Sequence, residues 1–158
     1  MRCLALFISM LSVFSACKSS RTAASGMSVY ALRLRPGQDL RRELETFARQ
    51  EKLQAGFVVT CVGSLRKTVL RPANQPGPMQ LDQKMEIVSL TGTLSPDGVH
   101  LHLAVSDSTG RTVGGHLLEG CEVYTTAEIV IGEGRGLRFR RETDPETTYK
   151  ELKIEPRR

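Results

Sequence analysis

No tryptophan occurs in this chain of 158 residues, and aromatic residues of every kind make up only 5% of it. A core without large rings must be built from Leu, Val and Ile, which suits buried strands. Charge of one sign is not concentrated either. The formal net charge is +5, but the arginines behind it are scattered, and no run reaches five like charges. That pattern reads as a solvated surface rather than a nucleic-acid-binding arm. An apolar share of 40% beside a charged share of 25% excludes a disordered composition.

Several chemical signatures are missing too. There is no G-x-x-x-x-G-K-[S/T] phosphate loop, no H-E-x-x-H and no G-x-S-x-G. The stretch Gly132-Glu133-Gly134-Arg135-Gly136 is glycine-rich, but no helical pattern follows it. It reads as a flexible turn, not a dinucleotide site. The four cysteines show no C-x-x-C spacing. Cys61 sits in the apolar run 57–62 and reads as a buried thiol, with a disulfide to Cys121 left open.

The first residues stand apart. Met1-Arg2 precedes an uncharged, mostly apolar stretch from Cys3 to Ala16, of signal-peptide length and short for a membrane span. Val13 and Ser15 fit the −3 and −1 positions of a signal-peptidase site, while Phe14-Ser15-Ala16-Cys17 weakly resembles a lipobox. Residues 1–17 are thus expected to be a leader and 18–27 a polar tether, with the folded domain at 28–155. The expected location is exported or membrane-anchored through the leader, or cytoplasmic if translation starts at Met27.

Within the domain, Val29–Leu34 reads as a strand ended by Pro36-Gly37. Asp39 is a candidate N-cap, and Leu40, Leu44, Phe47 and Ala48 share one helical face. That helix is expected to end before Gly56, taken as its C-terminal glycine. Residues 57–62 read as a central strand covered on both faces, Gly63-Ser64 as an interruption, and Leu65–Arg71 as a second strand. Residues 72–83 carry three prolines and read as a loop. Met85–Leu94 and Val99–Val105 flank Ser95-Pro96-Asp97-Gly98 as a hairpin, and Asp107–Gly110 forms the next turn. Cys121–Ile131 is a long β-branched strand with more apolar surface than one helix covers, which favours association. Residues 137–139 and 151–154 supply short strands. The expected fold class is α+β, one amphipathic helix packed on a mostly antiparallel sheet.

Histidine is scarce, and its three copies fall within 17 residues. In Val99-His100-Leu101-His102-Leu103 the strand period of two puts His100 and His102 on one face, about 6–7 Å apart at Cα. His116 follows Gly114-Gly115, glycines that permit a close backbone approach, and an antiparallel neighbour would bring it alongside. Three neutral imidazoles with a fourth position open are how catalytic zinc sites are built. His100, His102 and His116 are therefore the candidate ligands for a divalent ion, zinc by chemical expectation. Asp107, Glu119, Glu122 and Glu128 lie close in sequence as acids that could orient a ligand. No catalytic residue is assigned.

Several stretches together resemble the plants-and-prokaryotes-conserved (PPC, DUF296) family. They are Tyr30–Leu34 with Pro36-Gly37, Gly63-Ser64-Leu65, Met85–Leu94, His100-Leu101-His102, Gly114–Leu117 and Cys121–Ile129. The resemblance implies an α/β domain assembled as a homotrimer, with the H-x-H and G-G-H histidines binding metal in prokaryotic members. Plant members join the domain to AT-hooks and act on AT-rich DNA in the nucleus. An AT-hook needs Arg-Gly-Arg-Pro, and Arg135-Gly136-Leu137-Arg138 does not supply it. The expected protein is a homotrimer that binds a metal and an unknown small-molecule ligand. The alternative is a DNA-associated or protein-interaction scaffold without catalysis.

Overall fold

Asp39 begins the only helix among the residues that the computed structural model describes, 25–157. Its carboxylate accepts from the Arg42 N–H at 3.0 Å, capping α1 (Leu40–Gln50). Leu40, Leu44 and Ala48 are buried on one face, as the periodicity predicts. The helix end differs from expectation. The left-handed residue is Lys52 (φ 54), and the Leu53 N–H reaches back to the Ala48 carbonyl at 3.0 Å. Gly56 already belongs to the next strand, packed against Leu94.

Among the described residues nine strands accompany the helix: β1 (Met27–Leu34), β2 (Gly56–Arg71), β3 (Met79–Leu81), β4 (Met85–Ser95), β5 (Gly98–Ser106), β6 (Thr112–Leu117), β7 (Glu122–Gly134), β8 (Leu137–Thr143) and β9 (Lys150–Pro156). Every pairing is antiparallel. The main sheet runs β1-β7-β2-β4-β5-β6, with β3 on β2, and β8 and β9 form a separate pair.

The α+β expectation is overturned: this is a mainly β fold. The helix has 11 residues and covers one part of the sheet. The rest covers itself, because β6 returns to pair with the end of β2, Leu70 opposite Leu117 and Arg71 opposite His116. The circuit β2-β4-β5-β6-β2 curls round Leu90, Leu101, Leu103, Val105 and Leu117, all buried. A sheet that closes in this way needs no second layer of helices.

Smaller expectations change with it. Gly63-Ser64 does not break the strand; it is an irregularity inside a continuous 16-residue β2. Gly63 has φ 142, and a Cβ there would fall 2.1 Å from the Thr126 carbonyl oxygen, so only glycine fits. Nor is residues 57–62 covered on both faces: Val58 and Cys61 point inward while Val59 and Val62 are 52% and 56% exposed. The proline-rich loop contains β3. Gly132 and Gly134 complete β7 rather than a flexible turn, and Gly132 makes room for the Phe57 ring. Of the apolar residues of β7, Val123, Ala127, Ile129 and Ile131 are buried within one chain, while Val130 is partly buried and Tyr124 exposed. Residues 1–24, which include nearly all of the expected leader and tether, lie outside the described residues.

Candidate metal centre

Two turns set the register of the histidines. Pro96-Asp97 joins β4 to β5 with Ser95 opposite Gly98, and the Ser95 hydroxyl donates to the Gly98 carbonyl at 3.0 Å. That places His100 opposite Thr93 and His102 opposite Thr91. The second turn is fixed by Asp107, whose Oδ1 accepts from the Thr109 N–H at 2.8 Å and the Arg111 N–H at 3.1 Å. His102 then lies opposite His116, and His116 opposite Arg71. Gly115 permits this last approach as its sequence position suggests: an added Cβ would stand 2.6 Å from the Arg71 carbonyl oxygen.

The three rings meet on the outer face of the sheet. His102 Nε2 is 3.2 Å from His116 Nδ1. The ring centroids are 5.1 Å apart for His100 and His102, 5.3 Å for His100 and His116, and 4.5 Å for His102 and His116. One donor atom from each lies within 4.8 Å of the others. Zn–N bonds of 2.0–2.1 Å at tetrahedral angles put donors about 3.3 Å apart. One pair is already at that separation and the third donor lies within 4.8 Å of both, so the residues fit such an ion and could hold it.

Two of the three imidazoles are biased toward the neutral, ligating form. His100 titrates below the ordinary histidine range, chiefly because it is partly desolvated and then because Arg141 faces it. His116 is lowered likewise, by desolvation and by Arg71. Neutral imidazole is the form that binds metal.

The four acids named from sequence are elsewhere. Asp107 holds its turn, Glu119 pairs with Arg42 at 3.0 Å, and Glu122 accepts from Arg66 at 2.7 Å. Glu128 is exposed on β7 opposite Arg33. Cys61 and Cys121 are free and buried, not bridged. Sequence reasoning missed the neighbours that matter: Arg71 at the end of β2, Arg141 on β8 and Glu151 on β9 line a cavity of about 610 Å³ with His100 and His116. Pairing of Arg71 with His116 across 45 positions, and the hydrogen bond of Arg141 to Thr93 across 48, bring them there, and no local pattern encodes either.

The family model of the Plants and Prokaryotes Conserved (PCC) domain matches residues 21–135. The chain belongs to this family. The three histidines and Arg71 of this PCC chain fall inside the match. A protein of Synechococcus sp. (strain JA-3-3Ab), bifunctional protein GlmU, is 58% identical over 82% of the chain. The chain spans about a fifth of the length of that relative and of its counterpart in a second Synechococcus strain, 21% of each. The AT-hook motif nuclear-localized protein 2 of Arabidopsis thaliana is 26% identical over 80% of the chain and 40% of its own length. Among solved structures, a hypothetical protein from Salmonella superimposes with a TM-score of 0.85 at 44% identity, over 87% of this chain and 99% of its own. A metal-containing protein from Archaeoglobus fulgidus gives 0.71 at 26% identity, over 82% and 94%.

Proposed function

We propose that this PCC domain binds one divalent ion, zinc by preference, through His100, His102 and His116. The observation that carries the reading is the convergence of one donor from each ring within 4.8 Å. The chemistry fits: three nitrogen donors suit a borderline ion, and among the described residues no carboxylate joins the set to favour magnesium or calcium. The metal-containing Archaeoglobus relative supports it. With three protein ligands the ion keeps an open position toward solvent, as in sites that bind or polarise a further ligand. The chain's own residues fix the spacing of the imidazoles through two tight turns, and the surroundings of His100 and His116 favour their neutral form.

Metal analysis of purified protein should find close to one ion per chain, and His100→Ala and His116→Ala should each lose it. Full metal content in both variants would overturn the assignment.

A homotrimer is the assembly that accompanies this reading. Directly opposed residues share a face, so Val29, Gly132, Phe57, Thr93 and His100 form one row across five strands. The same outward side carries the exposed Val59, Val62 and Val88. An apolar face of that kind favours association, and the row ends at the histidines, so a subunit boundary there would lie beside the metal. Light scattering should give three times the chain mass; a monomer at micromolar concentration refutes the trimer.

A second reading, a DNA-associated scaffold without catalysis, draws on the net charge of +5 and on the Arabidopsis relative. It requires duplex affinity that falls steeply with salt.

A further inference from the structure

The cavity beside the histidines has a composition of its own. It is walled by Arg71, His100, His116, Arg141, Tyr149 and Glu151. Its size, about 610 Å³, suits a small organic molecule rather than a single ion. Two guanidinium groups line it, one from β2 and one from β8. Arg71 extends from β2 directly beside His116, and among the described residues no carboxylate lies within ion-pairing distance of it. Arg141 is held in place by neutral acceptors only: its Nη1 donates to the Lys150 carbonyl at 3.1 Å and its Nη2 to the Thr93 hydroxyl at 3.2 Å. Its backbone N–H donates to Asp97 at 3.0 Å, and that carboxylate is engaged by Arg140 at 3.3 Å. Glu151 accepts from the Thr147 hydroxyl at 3.1 Å. Among the described residues neither guanidinium is therefore ion-paired, although both are half-buried and Asp97 and Glu151 also line the cavity. Cationic forks held without a counter-charge at the mouth of a cavity are built to receive a planar or tetrahedral oxyanion.

We propose that this cavity binds a small molecule bearing a carboxylate or phosphate group, its oxyanion held by Arg71 and Arg141 next to the histidine cluster. Tyr149, which is 73% exposed, supplies an apolar wall for the rest of the molecule. The inference deepens the metal reading, because an oxyanion seated there can also supply an oxygen to the ion's open position. The arginine contacts do not depend on the ion.

Binding of inorganic phosphate and of succinate can be followed by calorimetry on the full chain, in zinc-loaded and metal-stripped forms. One or both anions should bind, and Arg71→Gln should weaken binding by about tenfold or more, the worth of a charge-assisted hydrogen bond. Arg71→Lys should recover part of it, and Arg42→Gln, on the exposed face of α1, should change nothing. Succinate alone or phosphate alone identifies the anion class. Zinc content measured on the same samples separates the two claims. If Arg71→Gln retains zinc and binds both anions as well as the unaltered protein, the anion site is overturned and the metal site stands. If no zinc is taken up but anion binding still requires Arg71, the metal site falls and the anion site stands. Absence of binding by either anion to either form also overturns the proposal.

Discussion

Gly92→Ala tests the placement of the histidine hairpin more sharply than any change to the histidines. Gly92 lies between Thr91 and Thr93, the residues opposite His102 and His100, and is itself opposite Leu101. Its φ is 136, and an added Cβ would stand 2.0 Å from the His100 carbonyl oxygen and 2.9 Å from the Leu101 Cα. Both are backbone atoms of the paired strand and cannot swing aside. Gly98, beside the turn of the same hairpin, has φ 120 but nothing within 4 Å of the Cβ position. The two substitutions thus share backbone strain, about 1–3 kcal/mol, and only Gly92→Ala adds the clash, about 1–3 kcal/mol more. Against a total stability of roughly 5–15 kcal/mol that difference is easily measured. Urea unfolding followed by circular dichroism should rank Gly92→Ala well below Gly98→Ala, and zinc affinity should fall only in the former, because relief of the clash pushes His100 away from β4. Equal midpoints for the two variants would show that the β4–β5 register described here is wrong.

Other consequences are separable from that one. Burial pushes the Cys61 thiol up to about 12 and the Cys121 thiol up to about 11, so neither should react with a thiol reagent at pH 8 without denaturant; rapid labelling of either would refute their burial. The same groups give stability that is fully present below the ordinary thiol range near 9 and is lost as pH rises toward 11–12, since the unfolded chain then releases protons that the folded one retains; urea midpoints should fall across that window and rise if the sign is wrong. Asp39→Ala should cost about 2–3 kcal/mol, more than an ordinary cap, because the second carboxylate oxygen also accepts from the Gly120 N–H at 2.5 Å; a loss under 1 kcal/mol by urea unfolding would refute the double role. Glu133→Ala should cost about 1–3 kcal/mol by stranding the Gln54 N–H and the Tyr30 hydroxyl, which donate to it at 2.9 and 3.2 Å; an unchanged midpoint would argue against that buried network.

The parts legible in the sequence share a physical feature: their information is local. The Asp39 cap, the helical face of Leu40, Leu44 and Ala48, the Pro96-Asp97 hairpin and the alternation of His100 with His102 each need only a few neighbouring residues. Even the approach of His116 followed from one short turn and the two glycines before it. What failed was non-local. Whether Val59 and Val62 are covered depends on what lies over β2, and whether a helix layer is needed depends on β6 returning to β2 at Arg71 and His116. Gly63 is a case between the two. Its sequence signal marks an irregular backbone, but only the partner carbonyl of Thr126 shows that the irregularity keeps the strand continuous instead of ending it.

The same distinction divides the site. His100, His102, His116 and Arg71 stand on paired strands within residues 21–135, where the chain matches its family. Such positions are rigid, and a metal set demands that rigidity. Arg141 and Glu151 come from β8 and β9, and Tyr149 from the connection between them, beyond the matched stretch; this two-stranded sheet is tied to the rest by specific contacts: the Phe139 N–H on the Gln54 carbonyl at 2.8 Å, and Arg141 on Asp97 and Thr93. Their contribution to the cavity therefore rests on this chain's own geometry and not on the family match. A division of labour follows from where each group is anchored. The histidines would fix what an ion there could be, and β8–β9 with the connection between them sets the charge, width and apolar wall of the cavity beside the histidines.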